Sequence, residues 1–247
     1  VPRAPTSSVP FPAFGVHSTT AGIFDVDGVL LASPHERAWR EALVGFADPE
    51  RFTTAVYQAE AAGKPRLAGA QAILAALGET EVDALAYAAR KQSRLVALVD
   101  GGFCTAFPDA LRLVAGAAAR GWPMAVASSS KNANRMMSLI KMDGGAYLLD
   151  LFSVNVCGRD LPRGKPDPAI FLLAAEGLGM SPRHCVVFED SPAGIEAAHA
   201  GHMMSVGVAR LGDQAGLKAA GAGLVVTSLD DPALAAMVDG KTLLGAA

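Results

Sequence analysis

Ala21-Gly22-Ile23-Phe24-Asp25-Val26-Asp27-Gly28-Val29-Leu30 is a short apolar run with β-branched members that stops on two aspartates and a glycine. A buried parallel strand that delivers acidic groups to its carboxyl end has this pattern. Alternate residues of a strand share a face, so Asp25 and Asp27 are expected to point into one site. Two carboxylates side by side repel, and a bound cation or retention of one proton relieves the repulsion. An ordinary acidic loop between a strand and a helix reads the same way in isolation, so the rest of the chain has to decide.

The chain has 247 residues and a formal net charge of -3. That length buries a real core in one large or two modest domains. The charge offers no basic surface for nucleic acid or an anionic membrane, so neither is an expected partner and a small molecule is. Hydrophobic residues make up 51%, much of it alanine, with no unbroken apolar stretch of the roughly 20 residues a membrane helix needs. Cys104, Cys157 and Cys185 form no CxxC pair, which fits buried thiols in a reducing compartment; a cytoplasmic monomer is expected. Residues 1–14, rich in Pro, Ser and Thr, read as a disordered or loosely docked arm.

Strand and helix patterns organise the remainder of the chain. A first strand is expected from Gly22 to Val26, and His35, Trp39, Ala42, Leu43 and Phe46 recur at helical spacing. Three further helices are predicted at about Pro49 to Ala62, Leu67 to Leu77 and Glu81 to Val99, broken by Gly63-Lys64-Pro65 and Gly78. The block 33–106 carries no convincing strand and reads as an all-helical insert. From Phe107 onward helices and strands alternate: helix Asp109 to Arg120, strand Met124 to Ser128, helix Asn132 to Lys141, a weak strand near Phe152 to Val156, and helix Pro168 to Leu178. Strand Cys185 to Phe188, helix Pro192 to Ala200, strand Met203 to Val208, helix Asp213 to Ala220 and strand Leu224 to Val226 complete the series. This is an α/β, doubly wound Rossmann-like parallel sheet, formed by 15–32 plus 107–247, whose ligands bind at the carboxyl ends of its strands.

Three more of these segments end in chemistry. Ser128-Ser129-Ser130-Lys131-Asn132 precedes a helix, where hydroxyls and free amides suit an anion or, alternatively, a serine N-cap. Lys165 sits between Gly164 and Pro166, positioned by its backbone. Strand CVVF ends in Glu189-Asp190, a second acidic pair that would face Asp25 and Asp27 if the two strands are neighbours, in an oxygen-rich site suited to Mg²⁺. His199 and His202 read as polar residues near a helix C-terminus.

The ordered set DVDGV, VASSS, GKPDP and FEDSPAG closely resembles the four motifs of the haloacid dehalogenase superfamily of phosphotransferases, and the helical block resembles its cap domain. HERAW, GKPR, ARKQ and SSSKN narrow the likeness to the β-phosphoglucomutase-like branch and its sugar-phosphatase relatives. The resemblance implies Asp25 as nucleophile and Asp27 as general acid and base, with Ser128 and Lys165 binding phosphate oxygens. It implies Mg²⁺ held by Asp25, Asp27 and Asp190 with Glu189 close by. The phosphate distant from the reacting centre would be gripped by Arg66, Ser130, Lys131 and Asn132, with Gly63, Lys64 and Ser129 alongside, while His35, Trp39 and Lys91 face the hinge or the sugar. One departure lies in the linker LLASP, about two residues shorter than is usual, with Ala32 where an aspartate commonly stands. The implied activity is Mg²⁺-dependent phosphoryl transfer on a sugar phosphate, with mutase and phosphatase both open. A non-catalytic phosphate-binding regulator would not need both Asp25 and Asp27, and a dehalogenase would not need the acidic cluster.

Overall fold

The computed structural model describes residues 20–239; the expected arm 1–14 lies outside them. Six parallel strands form the main sheet: β1 (Ala21–Phe24), β4 (Met124–Val126), β5 (Val154–Asn155), β6 (Cys185–Glu189), β7 (Met204–Val208) and β8 (Leu224–Val226). Their spatial order is β5-β4-β1-β6-β7-β8. The first strand is therefore central, with β4 and β6 on its flanks, and order reverses there as in a doubly wound sheet. All five neighbouring pairs are parallel, with Phe24 opposite Val126 on one side and Phe188 on the other.

The period-2 alternation of the strands sorts their side chains into two cores. Phe24, Met124, Val126, Val186, Phe188, Val206 and Val208 face one cluster, with α5 (Pro108–Ala119), α6 (Ala133–Met137) and α10 (Pro232–Val238). Ile23, Ala125, Ala127, Cys185 and Val187 face the other, under α7 (Ala169–Gly177) and α8 (Pro192–Ala200). Phe24 and Phe188 stack with ring centroids 4.4 Å apart, fixing β1 against β6. α9 (Gln214–Ala219) covers the β7–β8 edge through Leu217.

Between β1 and β4 along the chain run α1 (His35–Ala42), α2 (Thr54–Glu60), α3 (Arg66–Leu77) and α4 (Ala84–Asp100). They have a core of their own, centred on Trp39, Leu43, Phe52, Ile73, Leu74 and Tyr87. Leu95, Leu98 and Val99 of α4 and Ala38 of α1 belong instead to the sheet's cluster. The block is thus bolted to the sheet by one end.

Four expectations need correction. β1 stops at Phe24, because Leu30 and Leu31 both turn back to donate to the Val26 carbonyl; Asp25 and Asp27 reach one site from a loop rather than from one strand face. The helix expected at Pro49 to Ala62 is a 3-10 turn, Pro49–Arg51, followed by α2, since the Thr53 side chain accepts from Val56 N and starts a new helix. α6 is shorter than expected: its end tightens into i→i−3 bonds at Leu139 and Ile140, and Gly144-Gly145 turns the chain with φ +92° and +91°. Two short strands, β2 (Leu31–Ala32) and β3 (Thr105–Ala106), pair antiparallel where the helical block leaves and rejoins the sheet; two residues each carry no readable alternation.

Candidate active site

The carboxyl ends of β1, β4 and β6 and the inner side of the helical block enclose a cavity of about 180 Å³. Asp25, Asp27, Ser128, Asp190, His35, Trp39, Gly63, Lys64, Arg66, Lys91, Ser129, Ser130, Lys131 and Asn132 all line it. Asp25 is buried and its backbone N–H continues the ladder to Phe188 O at 3.0 Å. Lys165, also buried, donates to Asp25 Oδ1 at 2.6 Å and to Glu189 Oε1. Glu189 in turn accepts from the backbone and hydroxyl of Ser191 at 2.8 and 2.9 Å. Glu189 therefore looks toward Lys165 and Ser191, and Asp190 is the member of the pair that lines the cavity.

Asp190 lies so close to the turn after Asp27 that a Cβ on Gly28 would fall 1.8 Å from its Oδ2. Gly28 also has φ +79°, so this position takes glycine on both counts.

Charge is crowded here. Burial pushes the Asp25 carboxyl up to about 7; the charges of Glu189 and Asp27 add to the rise and Lys165 opposes it. Asp190 is raised well above the usual carboxylate range by burial and then by Glu189 and Asp25. Lys165, which burial alone would depress, is raised by its two carboxylates. Asp27 Oδ1 is buried without a hydrogen-bond partner. Four carboxylates with one ammonium, Lys165, in direct contact with two of them, and an orphaned oxygen among them, fit a divalent cation. Among the described residues no three His, Cys, Asp or Glu side chains are grouped closely enough to hold a metal alone, so backbone, water or substrate oxygens would complete any such set.

His35 Nδ1 lies 2.9 Å from Lys91 Nζ, and its Nε2 is 3.6 Å from Asp27 Oδ1 and 3.4 Å from Ser130 Oγ. Where Lys91 is charged it can only donate, so Nδ1 then accepts and the ring proton sits on Nε2, on the side of Ser130 Oγ and Asp27 Oδ1. Burial depresses His35 to about 4, with Asp27 opposing, and depresses Lys91 to about 7; the ring is neutral near pH 7. Lys91 also lies over the Trp39 ring at 4.8 Å. Trp39 itself is mostly part of the helical core, with Tyr87 donating to its carbonyl.

The far end of the cavity is built from both units. Arg66, the first residue of α3, donates to Gln92 Oε1 at 2.5 Å, and Gln92 and Asn132 exchange hydrogen bonds at 2.9 and 3.1 Å. Ser129 Oγ donates to Gly63 O, and a Cβ on Gly164 would fall 2.2 Å from Pro65 Cγ, so loop 63–65 seats directly on the sheet domain's loops. Lys131 pairs with Asp160 at 2.5 Å on the exposed rim. Lys64 folds back to the Ala59 carbonyl. Ser191, Tyr57 and Gln92 were not among the expected site residues. Ser191 and Gln92 stood inside the quoted motifs FEDSPAG and ARKQ, whereas Tyr57, which lines the cavity from α2, had no sequence signal.

A doubly wound sheet with paired carboxylates and a buried lysine at its carboxyl ends, roofed by a helical insert, is the architecture of an acid-based phosphotransferase. The family of haloacid dehalogenase-like hydrolases matches residues 20–202, and the chain belongs to it; it is an enzyme of that type, a phosphatase or phosphomutase. Beta-phosphoglucomutase of Mycobacterium tuberculosis is 30% identical over 236 residues, 85% of this chain and 89% of that one. The fructose-1-phosphate phosphatase YqaB of Escherichia coli is 33% identical over 189 residues, 75% of this chain and 94% of that one. The crystal structure of beta-phosphoglucomutase from Clostridium difficile superposes with a TM-score of 0.72 at 27% identity, covering 89% and 97% of the two chains. No described helix is long and apolar enough to cross a membrane.

Proposed function

We propose that the chain transfers phosphoryl groups on a small sugar phosphate through a phosphorylated Asp25, in the manner of a β-phosphoglucomutase. The observation that carries this reading is the make-up of the cavity: Asp25 and Asp27 line it from the loop after β1, and Arg66 and Asn132, joined through Gln92, line it where the helical block meets the sheet's loops. A substrate with anionic groups at both ends is what such a cavity recognises. Asp25, held by Lys165, attacks phosphorus directly because an ionised carboxylate needs no base. Lys165 and the Ser128 hydroxyl neutralise and orient the phosphoryl oxygens. Asp27 has no competing hydrogen bond on Oδ1, so it can give its proton to the leaving oxygen and take one from the next acceptor. Asp25, the Asp27 carbonyl and Asp190 would hold Mg²⁺, with Glu189 behind them, and the ion would supply positive charge against the phosphoryl oxygens and the crowded carboxylates.

The helical block acts as the cap that closes over the substrate, residues 33–106 forming that unit and the sheet the other. The 33% likeness to a sugar phosphatase across 94% of that protein favours hydrolysis as the second reading. The two differ in whether the acceptor is a sugar hydroxyl or water. ³¹P NMR of β-glucose 1-phosphate with a trace of bisphosphate separates them: glucose 6-phosphate means mutase, and free phosphate means phosphatase.

A further inference from the structure

Gln92 on α4 is the side chain where the two halves of the cavity's far end meet. Its Oε1 accepts from Arg66 Nη1 at 2.5 Å and from Asn132 Nδ2 at 3.1 Å, while its Nε2 donates to Asn132 Oδ1 at 2.9 Å. Arg66 belongs to the helical block and Asn132 to the sheet domain, so one neutral amide spans both. Two other cations on this cavity are paired with carboxylates, Lys131 with Asp160 at 2.5 Å and Arg163 with Asp167 at 2.8 Å. Arg66 is oriented by an uncharged acceptor and keeps its positive charge. It also opens α3, whose preceding Pro65 provides no side-chain cap; a cation at the positive end of a helix dipole is unfavourable in itself and gains from an arriving anion.

We propose that Gln92 is a positioning residue that assembles the distal anion site. It holds Arg66 and Asn132 at one separation from Asp25, and so selects sugar phosphates that carry a second phosphate at that distance. The proposal rests on the phosphoryl-transfer reading above. A simple latch between the two units would use the same hydrogen bonds, but it would affect every substrate alike.

The test compares the full-length wild type, Gln92→Glu, Gln92→Ala and Arg66→Ala on a hexose bisphosphate and on p-nitrophenyl phosphate, which has no second phosphate. Gln92→Glu keeps the side-chain volume, so folding is not the variable; its carboxylate cancels Arg66 and cannot donate to Asn132. It is expected to raise KM for the bisphosphate at least about tenfold, with a change of less than about threefold in kcat/KM for p-nitrophenyl phosphate. Gln92→Ala is expected to move in the same direction, and combining it with Arg66→Ala to add little, because both act through one contact. Equal losses on both substrates, or an unchanged bisphosphate KM in Gln92→Glu where Arg66→Ala raises it, overturn the proposal while leaving the phosphoryl-transfer reading intact. A wild type that does not prefer the bisphosphate, with Arg66→Ala indifferent to it, overturns the two-ended reading and the proposal together.

Discussion

Asp109→Asn is expected to cost about 3 to 5 kcal/mol of stability, although Asp109 touches no substrate. Asp109 opens α5 just after β3, and every partner of its carboxylate is a donor. Oδ1 accepts from Ala110 N at 2.9 Å and Arg210 Nη2 at 3.1 Å; Oδ2 accepts from Arg210 Nη1 at 3.0 Å, Ser228 Oγ at 2.9 Å and Leu229 N at 2.7 Å. An asparagine amide, whichever way it is turned, aims its NH₂ at donors and leaves the largely buried Arg210 without its counter-charge. Breaking one side of a buried ion pair costs about 3–5 kcal/mol, a large part of the roughly 5–15 kcal/mol that holds a domain together. Arg210 also donates to the carbonyls of Gly28 and Val29 and lies over the Phe107 ring at 3.7 Å. The loop that carries Asp27 and the β2–β3 hinge therefore loosen with it, and turnover should fall too. Urea unfolding at pH 7 measures the cost. Burial alone would raise the Asp109 carboxyl, but Arg210, Leu229 N and Ser228 outweigh it and hold it down to about 2. A depressed carboxylate contributes stability above its unfolded pKa and loses it as pH falls toward its folded one. The gap between wild type and variant should thus be full above about pH 4 and shrink below it. A cost under about 1 kcal/mol at pH 7, or a gap that does not narrow in acid, refutes this account of the network.

Asp190→Ala should raise the Mg²⁺ concentration needed for half-maximal turnover steeply, because a hard cation loses one of few anionic ligands; an unchanged titration would place the metal elsewhere. Gly164→Ala should raise KM with little loss of unfolding free energy, since the new Cβ meets Pro65 Cγ at 2.2 Å across the seam between the helical block and the sheet; an unchanged KM would mean the seam gives way freely. Arg66→Ala should lower kcat/KM for a bisphosphate by about 2 kcal/mol or more while p-nitrophenyl phosphate hydrolysis changes little, and equal losses on both would make Arg66 structural.

Much of the sheet was legible because buried parallel strands such as CVVF are apolar on both faces and stop at charged or turn-forming residues. The placement of Glu189 and Asp190 beside Asp25 followed once β1 and β6 were taken as neighbours. Strand ends were less legible: nothing in AGIFDVDGVL says that the ladder gives way after Asp25, because the turn is made by backbone bonds to the Val26 carbonyl. The β2–β3 pair escaped for a similar reason, its register being set by hinge geometry rather than pattern. α10 was missed although Asp231 caps it by accepting from Ala233 N, since a seven-residue helix of small residues has little periodicity. At the site, charges announced themselves in motifs. Partnerships did not: that Glu189 faces Lys165 and Ser191, that Lys64 folds back to Ala59, and that Gln92 joins Arg66 to Asn132 depend on contacts between distant segments. The Arg210–Asp109 network, spanning about a hundred residues of chain, left no local signature at all.

Phosphorylation of Asp25 is the step on which the proposed chemistry turns. Acid quenching of the enzyme during turnover of a sugar bisphosphate with Mg²⁺, with peptide mass spectrometry of the quenched protein, tests it directly. The expected result is a mass gain of one phosphoryl group on the peptide containing Asp25, labile to hydroxylamine and absent from Asp25→Asn, which should fold normally and turn nothing over. A phosphoryl group on any other residue, or appreciable turnover by Asp25→Asn free of deamidated protein, would contradict it.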